Sequence, residues 1–142
     1  DICRLFAWIL KYWNTMNYDI SNEINLDLAS KLQHTIEYVL LNYGEEITAE
    51  KMAEYSNLSY SYFSRSFKQL TGKSFTEYLN RYRILKSITP LKGSDVTVTE
   101  IAFECGFSTL RSYNREFKKY LKVTPKEYRR NGFDYFVVES EL

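Results

Sequence analysis

SRSFKQLTGKSFTEY, residues 64–78, returns in altered form as NREFKKYLKVTPKEY, residues 114–128. Upstream, TAEKMAEYSNLS (residues 48–59) lies over TVTEIAFECGFS (residues 97–108) at an offset of 49, whereas from Ser64 onward the offset is 50. One residue has therefore been added between Ser108 and Tyr113. The shared identities are Thr48/Thr97, Ala53/Ala102, Ser59/Ser108, Arg65/Arg115, Phe67/Phe117, Lys68/Lys118, Glu77/Glu127 and Tyr78/Tyr128. A solenoid needs at least about three units to build a continuous core. Two copies point instead to a duplicated small module.

Each copy has a physical reading. In the second, Thr97 starts a short helix and Glu100, three residues on, completes a capping box. Ile101, Ala102 and Cys105 give that helix an apolar stripe, and Gly106 supplies the left-handed residue that ends it. The first copy has Asn57 there, the next most tolerant residue. A hydrophobic plug follows (Leu58, Phe107), and then a serine (Ser59, Ser108) expected to cap a second helix. Helix, tight turn, plug and capped helix make a helix-turn-helix.

The second helix of each copy divides its faces sharply. Phe63, Phe67 and Leu70 share one side, while Ser61, Ser64, Arg65 and Lys68 share the other at i, i+3, i+4, i+7. Tyr113, Phe117 and Leu121 repeat the apolar stripe, and Arg111, Asn114, Arg115 and Lys118 repeat the polar one. A single such stripe is ordinary for a solvated helix face. Two aligned copies are harder to attribute to solvation alone. Arg and Asn make paired hydrogen bonds to guanine and adenine edges in a major groove, and Lys suits phosphate.

Beyond each of these helices come a turn and another cap, Ser74 and Thr124, with Pro125 at the first helical position where its missing N–H costs nothing. FTEYLNRYRILKSIT is expected to form a linker helix from about Phe75 to Thr89, stopping before Pro90, which disfavours helix in the residue ahead of it. Upstream, DLASKLQHTIEYVLLNYG reads as a helix ending at Gly44, with Leu28, Leu32, Ile36, Val39/Leu40 and Tyr43 on one face. Within residues 1–25, Ile2, Leu5/Phe6, Ile9, Trp13 and Met16 recur at helical spacing. The tail FDYFVVESEL turns from apolar to acidic and carries no functional signal.

The bulk numbers set limits. The chain has 142 residues, 44% apolar and 17% aromatic, enough for one compact domain or two very small ones. The net charge of +1 conceals an uneven distribution. Residues 60–92 and 108–130 each net +6, and the segments 44–59, 93–107 and 131–142 net −3 apiece. Two basic islands form a local electrostatic footprint. His34 is the only histidine, and Cys3 and Cys105 lack neighbours at ligand spacing, so a multi-His metal site or a conventional Ser/His/Asp triad is hard to build. No catalytic residue, cofactor or metal is expected, and the chain does not read as an enzyme. Without a signal peptide or an apolar run of membrane-spanning length, the expected compartment is the cytoplasm.

IAFECGFS…SYNREFKKYLKVTPKEYR resembles the signature of the AraC/XylS family of bacterial transcription regulators, and MAEYSNLSYSYFSRSFKQLTGKSFTEYLNRYRI matches the first half of the same module. The resemblance covers roughly residues 28–131 with the family's motif order and gaps. It implies an all-α fold of two helix-turn-helix subdomains, 26–90 with the linker helix and 91–131; outside it, the helical spacing in 1–25 adds an extra N-terminal helix, and 132–142 is a tail. It implies double-stranded promoter DNA as partner, read in two major-groove segments about one helical turn apart, and RNA polymerase as a further partner. By motif position, Ser61, Ser64 and Arg65, and then Leu110, Arg111, Asn114 and Arg115, are expected at base edges. Lys68, Lys118 and Ser112 are expected at the DNA backbone. Lys122 departs from the family's usual Gly, and Pro90 stands where an aliphatic residue is usual, which would shorten the linker helix. Family members carry an effector or dimerisation domain ahead of this module, and residues 1–25 are too few to hold one. They read as the end of such a domain, with a self-association helix or a helix packed on the first unit as the alternatives. The competing functional reading is a helical protein-interaction module derived from such a regulator, kept open by the low net charge and the short serines of the first stripe.

Overall fold

Residues 26–132 are described by the structure, a computed structural model. Among them the chain forms seven α-helices and no strand: α1 (Leu26–Asn42), α2 (Ala49–Tyr55), α3 (Tyr60–Thr71), α4 (Phe75–Gly93), α5 (Val98–Glu104), α6 (Leu110–Leu121) and α7 (Pro125–Asn131). The expected all-α class is borne out. The helix expected within residues 1–25 and the tail beyond Gly132 lie outside the described residues. α1 stops at Asn42, two residues short of the expected Gly44. The described chain divides into two units, residues 26–38 with Thr48–Thr76, and Val39–Ile47 with residues 77–132.

In the first unit the Thr48 hydroxyl accepts the Lys51 N–H at 3.2 Å and so caps α2, and Ser59 caps α3 by accepting the Tyr62 N–H. Between them lies a Schellman turn. The Leu58 N–H donates to the Ala53 carbonyl and the Asn57 N–H to that of Glu54, both at 2.9 Å, with Asn57 at φ 53°. Phe63 and Phe67 are fully buried, and their rings meet Phe75 with centroids 5.3 to 5.7 Å apart. Such pairs add about 0.5–1.5 kcal/mol each beyond the area they bury. From α1, Leu32 and Ile36 are buried, and the Thr35 hydroxyl meets that of Ser56 at 2.7 Å, so neither buried oxygen is left unsatisfied.

The second unit repeats the plan. Thr97 and Glu100 form the expected capping box, and the α5–α6 turn is again a Schellman motif: Phe107 N–H to Ala102 O at 3.0 Å, Gly106 N–H to Phe103 O at 2.9 Å. The added residue falls in this turn, which corrects one expectation. Thr109, not Ser108, caps α6, because the turn absorbs one more residue and the hydroxyl that reaches the Ser112 N–H moves one position along. The core runs through Ile84, Ile88, Leu91, Ile101 and Ala102 into a chain of edge-to-face rings, Phe107, Tyr113, Phe117 and Tyr128. Tyr113 is kept neutral by burial, and its hydroxyl donates to Ser87 Oγ at 2.9 Å. Cys105 is buried here, and desolvation pushes its thiol up to about 11, so it is an inert core residue.

The linker helix does not stop before Pro90. α4 runs on to Gly93 with Pro90 inside its last turns, so the expected shortening is overturned. Proline removes one intrahelical bond there. The next residue, Leu91, is buried in the second core, and Ser94 Oγ donates to the Pro90 carbonyl at 2.8 Å. Apolar burial outweighs the lost bond. The Lys122 departure is accommodated by φ 61° at the C-terminus of α6, where its Nζ donates to Lys119 O at 3.0 Å.

Two arginines hold helix ends rather than face outward. Arg83 donates from Nε to Tyr43 O and from Nη2 to Glu45 O, both at 2.7 Å, just past the C-terminus of α1. Arg129 donates from Nε to Leu91 O at 3.0 Å and from Nη2 to Val96 O at 2.7 Å, at the C-terminus of α4. Each guanidinium ties down carbonyls at or just beyond a helix C-terminus, of which Leu91 O is one the helix end leaves orphaned, and sits near the negative pole of that helix. The basic islands therefore offer less charge to a partner than their count implies.

The capping boxes make the stability acid-sensitive. Glu100 accepts the Thr97 hydroxyl and N–H, and Glu127 the Thr124 N–H and hydroxyl, and these bonds hold both carboxyls below their ordinary 4.5. A group with a lowered folded-state pKa contributes stability above its unfolded value that is lost as pH falls through the folded one. Melting temperature, followed by circular dichroism, is expected to drop below about pH 4.5. Glu100→Gln with Glu127→Gln should flatten part of that drop while lowering the plateau at neutral pH.

Candidate nucleic-acid interface

α3 and α6 are the second helices of their respective helix-turn-helix units, and both are twelve residues long. Apolar periodicity fixes their rotation. With Phe63 and Phe67, and equally Tyr113 and Phe117, driven inside, the opposite side of each helix must face water. On α3 this exposes Ser61, Arg65 and Lys68, with Ser64 half-buried at the margin. On α6 it exposes Arg111, Asn114, Arg115 and Lys118. Leu110 and Ser112 differ from their neighbours. Leu110 is half-buried and packs against the second core. Ser112 is half-buried, and its Oγ donates to Thr109 O at 2.9 Å and accepts from Thr109 Oγ1 at 3.0 Å, so it braces the first turn of α6.

The two arginines at equivalent positions share a further feature. Arg65 Nε donates to Ser61 O at 3.3 Å, one turn back on its own helix. Arg115 Nε donates to Glu116 Oε1 at 3.2 Å, and its side chain remains 70% exposed. In both cases Nε is tethered and the two terminal nitrogens are left for an outside acceptor. A guanidinium held this way presents a planar fork with little rotamer entropy left to lose. That fork matches the paired acceptors of a guanine edge or a phosphate.

Two residues escaped the sequence reading. An offset of 50 maps Leu110 and Ser112 onto Tyr60 and Tyr62, both exposed on the first turn of α3. The duplication itself carries that signal, outside the polar stripe. No group of three or more His, Cys, Asp or Glu side chains able to hold a metal occurs among the described residues. No helix among them is long and apolar enough to cross a membrane.

Comparison with known proteins agrees with this geometry. The helix-turn-helix domain family model matches residues 52–131. An HTH-type transcriptional regulator of Staphylococcus aureus strain MSSA476 is 34% identical over 99 residues, taking in 70% of this chain and 13% of that protein. The transcriptional activator RhaS of Escherichia coli O139:H28 is 33% identical over 107 residues, 74% of this chain and 38% of its own length. The chain thus spans well under half the length of these relatives. Among solved structures, the DNA-binding domain of AdpA in complex with a target DNA has a TM-score of 0.68 at 29% identity, covering 71% of this chain and 91% of that one. The C-terminal domain of AraT, a response regulator from Geobacillus stearothermophilus, has a TM-score of 0.68 at 31% identity, covering 71% and 84%. Duplicated helix-turn-helix units, matching motifs and these likenesses together show that the chain belongs to the AraC/XylS family of helix-turn-helix transcription regulators, a family of DNA-binding proteins and not of enzymes.

Proposed function

We propose that this chain is the duplex-DNA-reading part of a transcription regulator, with α3 and α6 each reading its own major-groove segment. The observation that carries the reading is the matched pair of exposed arginine forks, Arg65 and Arg115, each tethered at Nε on the outward face of its unit's second helix. Arg65 with Ser61 and Ser64, and Arg115 with Leu110, Arg111 and Asn114, take the base edges. Lys68 and Lys118 take phosphates. Ser112 serves the groove by bracing the helix as well as by any backbone contact of its own. The DNA complex of AdpA, whose DNA-binding domain this chain resembles, supports the same partner. An effector domain elsewhere in the full protein, RNA polymerase as a second partner, self-association through residues 1–25 and a cytoplasmic location complete the proposal. The paired forks favour DNA over the protein-interaction reading, since a docking face for protein has no need of two equivalent guanidinium forks.

Selection of bound sequences from a random duplex pool tests this reading. The expected product is a site with two conserved blocks whose centres lie about 10–10.5 base pairs apart. A pool that shows no enrichment would overturn the proposal. On the selected site, log affinity should fall linearly with log salt, and Lys118→Ala should reduce the slope by about 0.9 while weakening all sequences alike.

A further inference from the structure

The two reading helices differ most at their first turns. α6 carries long polar side chains, Arg111 and Asn114, where α3 has Ser61 and Ser64, and α6 closes its flanks by packing Leu110 on the core and bonding Ser112 to Thr109. α3 does the reverse. Its stripe is short, and its flanks carry two tyrosines that stand out of the surface, Tyr60 at 52% exposure and Tyr62 at 38%. At 100° per residue they bracket the stripe: Tyr62 runs with Arg65 and Gln69 along one edge, and Tyr60 with Ser64 along the other. Neither side chain has a hydrogen bond, ion pair or ring contact with any other described residue. Single exposed rings are common on protein surfaces. Two within three residues, on the turn that enters the groove and beside a cationic stripe, are placed for a partner that is both anionic and apolar in part. Duplex DNA is such a partner. The thymine 5-methyl is the main apolar feature of the major-groove edge, and a tyrosine hydroxyl donates to phosphate or sugar oxygen.

Resting on the DNA-reading role of α3, we propose that Tyr60 and Tyr62 are specificity-determining residues that read thymine methyl groups on either side of the Arg65 contact, supplying the reach that Ser61 and Ser64 lack. The first helix then adds thymine selection by apolar contact to the hydrogen bonds of Arg65, whereas the second relies mainly on the hydrogen bonds of Arg111, Asn114 and Arg115.

The test uses the duplex selected by the whole chain, with the block read by α3 identified as the one that Arg65→Ala degrades. Each thymine of that block is replaced in turn by deoxyuridine, which removes one methyl and leaves the hydrogen-bonding edge intact. Wild type is expected to lose about fourfold in affinity at one thymine or more, the worth of one buried methyl. Tyr60→Ala with Tyr62→Ala should bind about tenfold more weakly, as for lost aromatic anchors, and should no longer distinguish thymine from uracil there. Tyr60→Phe with Tyr62→Phe should keep the discrimination, and all variants should melt like wild type because both rings are exposed. Wild-type indifference to the methyl groups, or discrimination that survives the double alanine change, would overturn the proposal while leaving DNA reading intact. Failure of wild type to select any duplex would instead overturn the underlying role of α3.

Discussion

Gly106→Ala is expected to lower the stability of the second unit by about 3 kcal/mol or more, from strain and lost bonds together. Two independent causes add. Gly106 has φ 91°, beyond the left-handed well that L-residues tolerate, which costs about 1–3 kcal/mol for alanine. A Cβ there would also stand 2.5 Å from the Tyr43 carbonyl oxygen and 2.8 Å from Nε and Cζ of Arg83. Neither neighbour has room to yield. Tyr43 O accepts from Arg83 Nε, Arg83 is only 7% exposed, lies over the Phe107 ring at 5.9 Å, and holds Glu45 O with its other arm. Displacing the guanidinium takes the donor from the Tyr43 and Glu45 carbonyls, two part-buried hydrogen bonds worth about 0.5–1.5 kcal/mol each. The counterpart Asn57, at φ 53°, is in the ordinary left-handed region, so Asn57→Ala should cost only about 1 kcal/mol. Urea denaturation of the two variants compares the turns. A Gly106→Ala protein within 1 kcal/mol of wild type would contradict the packing described around this turn.

The second large effect concerns affinity. Arg65→Ala and Arg115→Ala are each expected to cost about 1–3 kcal/mol on the selected duplex, or roughly 5- to 150-fold, and to relax the sequence preference locally. Arg→Lys should recover little, because an ammonium restores the charge without the fork. Glu116 gives Arg115 a distinct dependence. Its buried carboxylate holds Nε, so Glu116→Gln should weaken binding less than Arg115→Ala and leave the identity of the preferred base unchanged. Fluorescence anisotropy at fixed salt measures both.

Much of this was legible in residues 48–78 and 97–128. The duplication announces two similar units. Apolar spacing alone placed Phe63, Phe67, Tyr113 and Phe117 inside and thereby set Arg65 and Arg115 on the outward side. Capping chemistry is local, so Thr97, Thr124, Asn57 and Gly106 were readable from their neighbours. What was missed depends on distant contacts. Pro90 stays helical because Leu91 is buried in a core built from α5 to α7, which propensity at Pro90 does not register. Arg83 and Arg129 counted as basic surface, yet their acceptors lie 40 and 38 residues away in sequence. The Thr109 cap was misplaced by one residue because the copies align on either side of the insertion but not across it.

The most direct measurement of the central claim is to repeat the random-pool selection with Arg65→Ala and Arg115→Ala in parallel. The account predicts that each variant erases a different one of the two blocks and leaves the other as wild type selects it. Two variants that degrade the same block, or that leave both blocks untouched, would contradict the assignment of one reading helix to each unit.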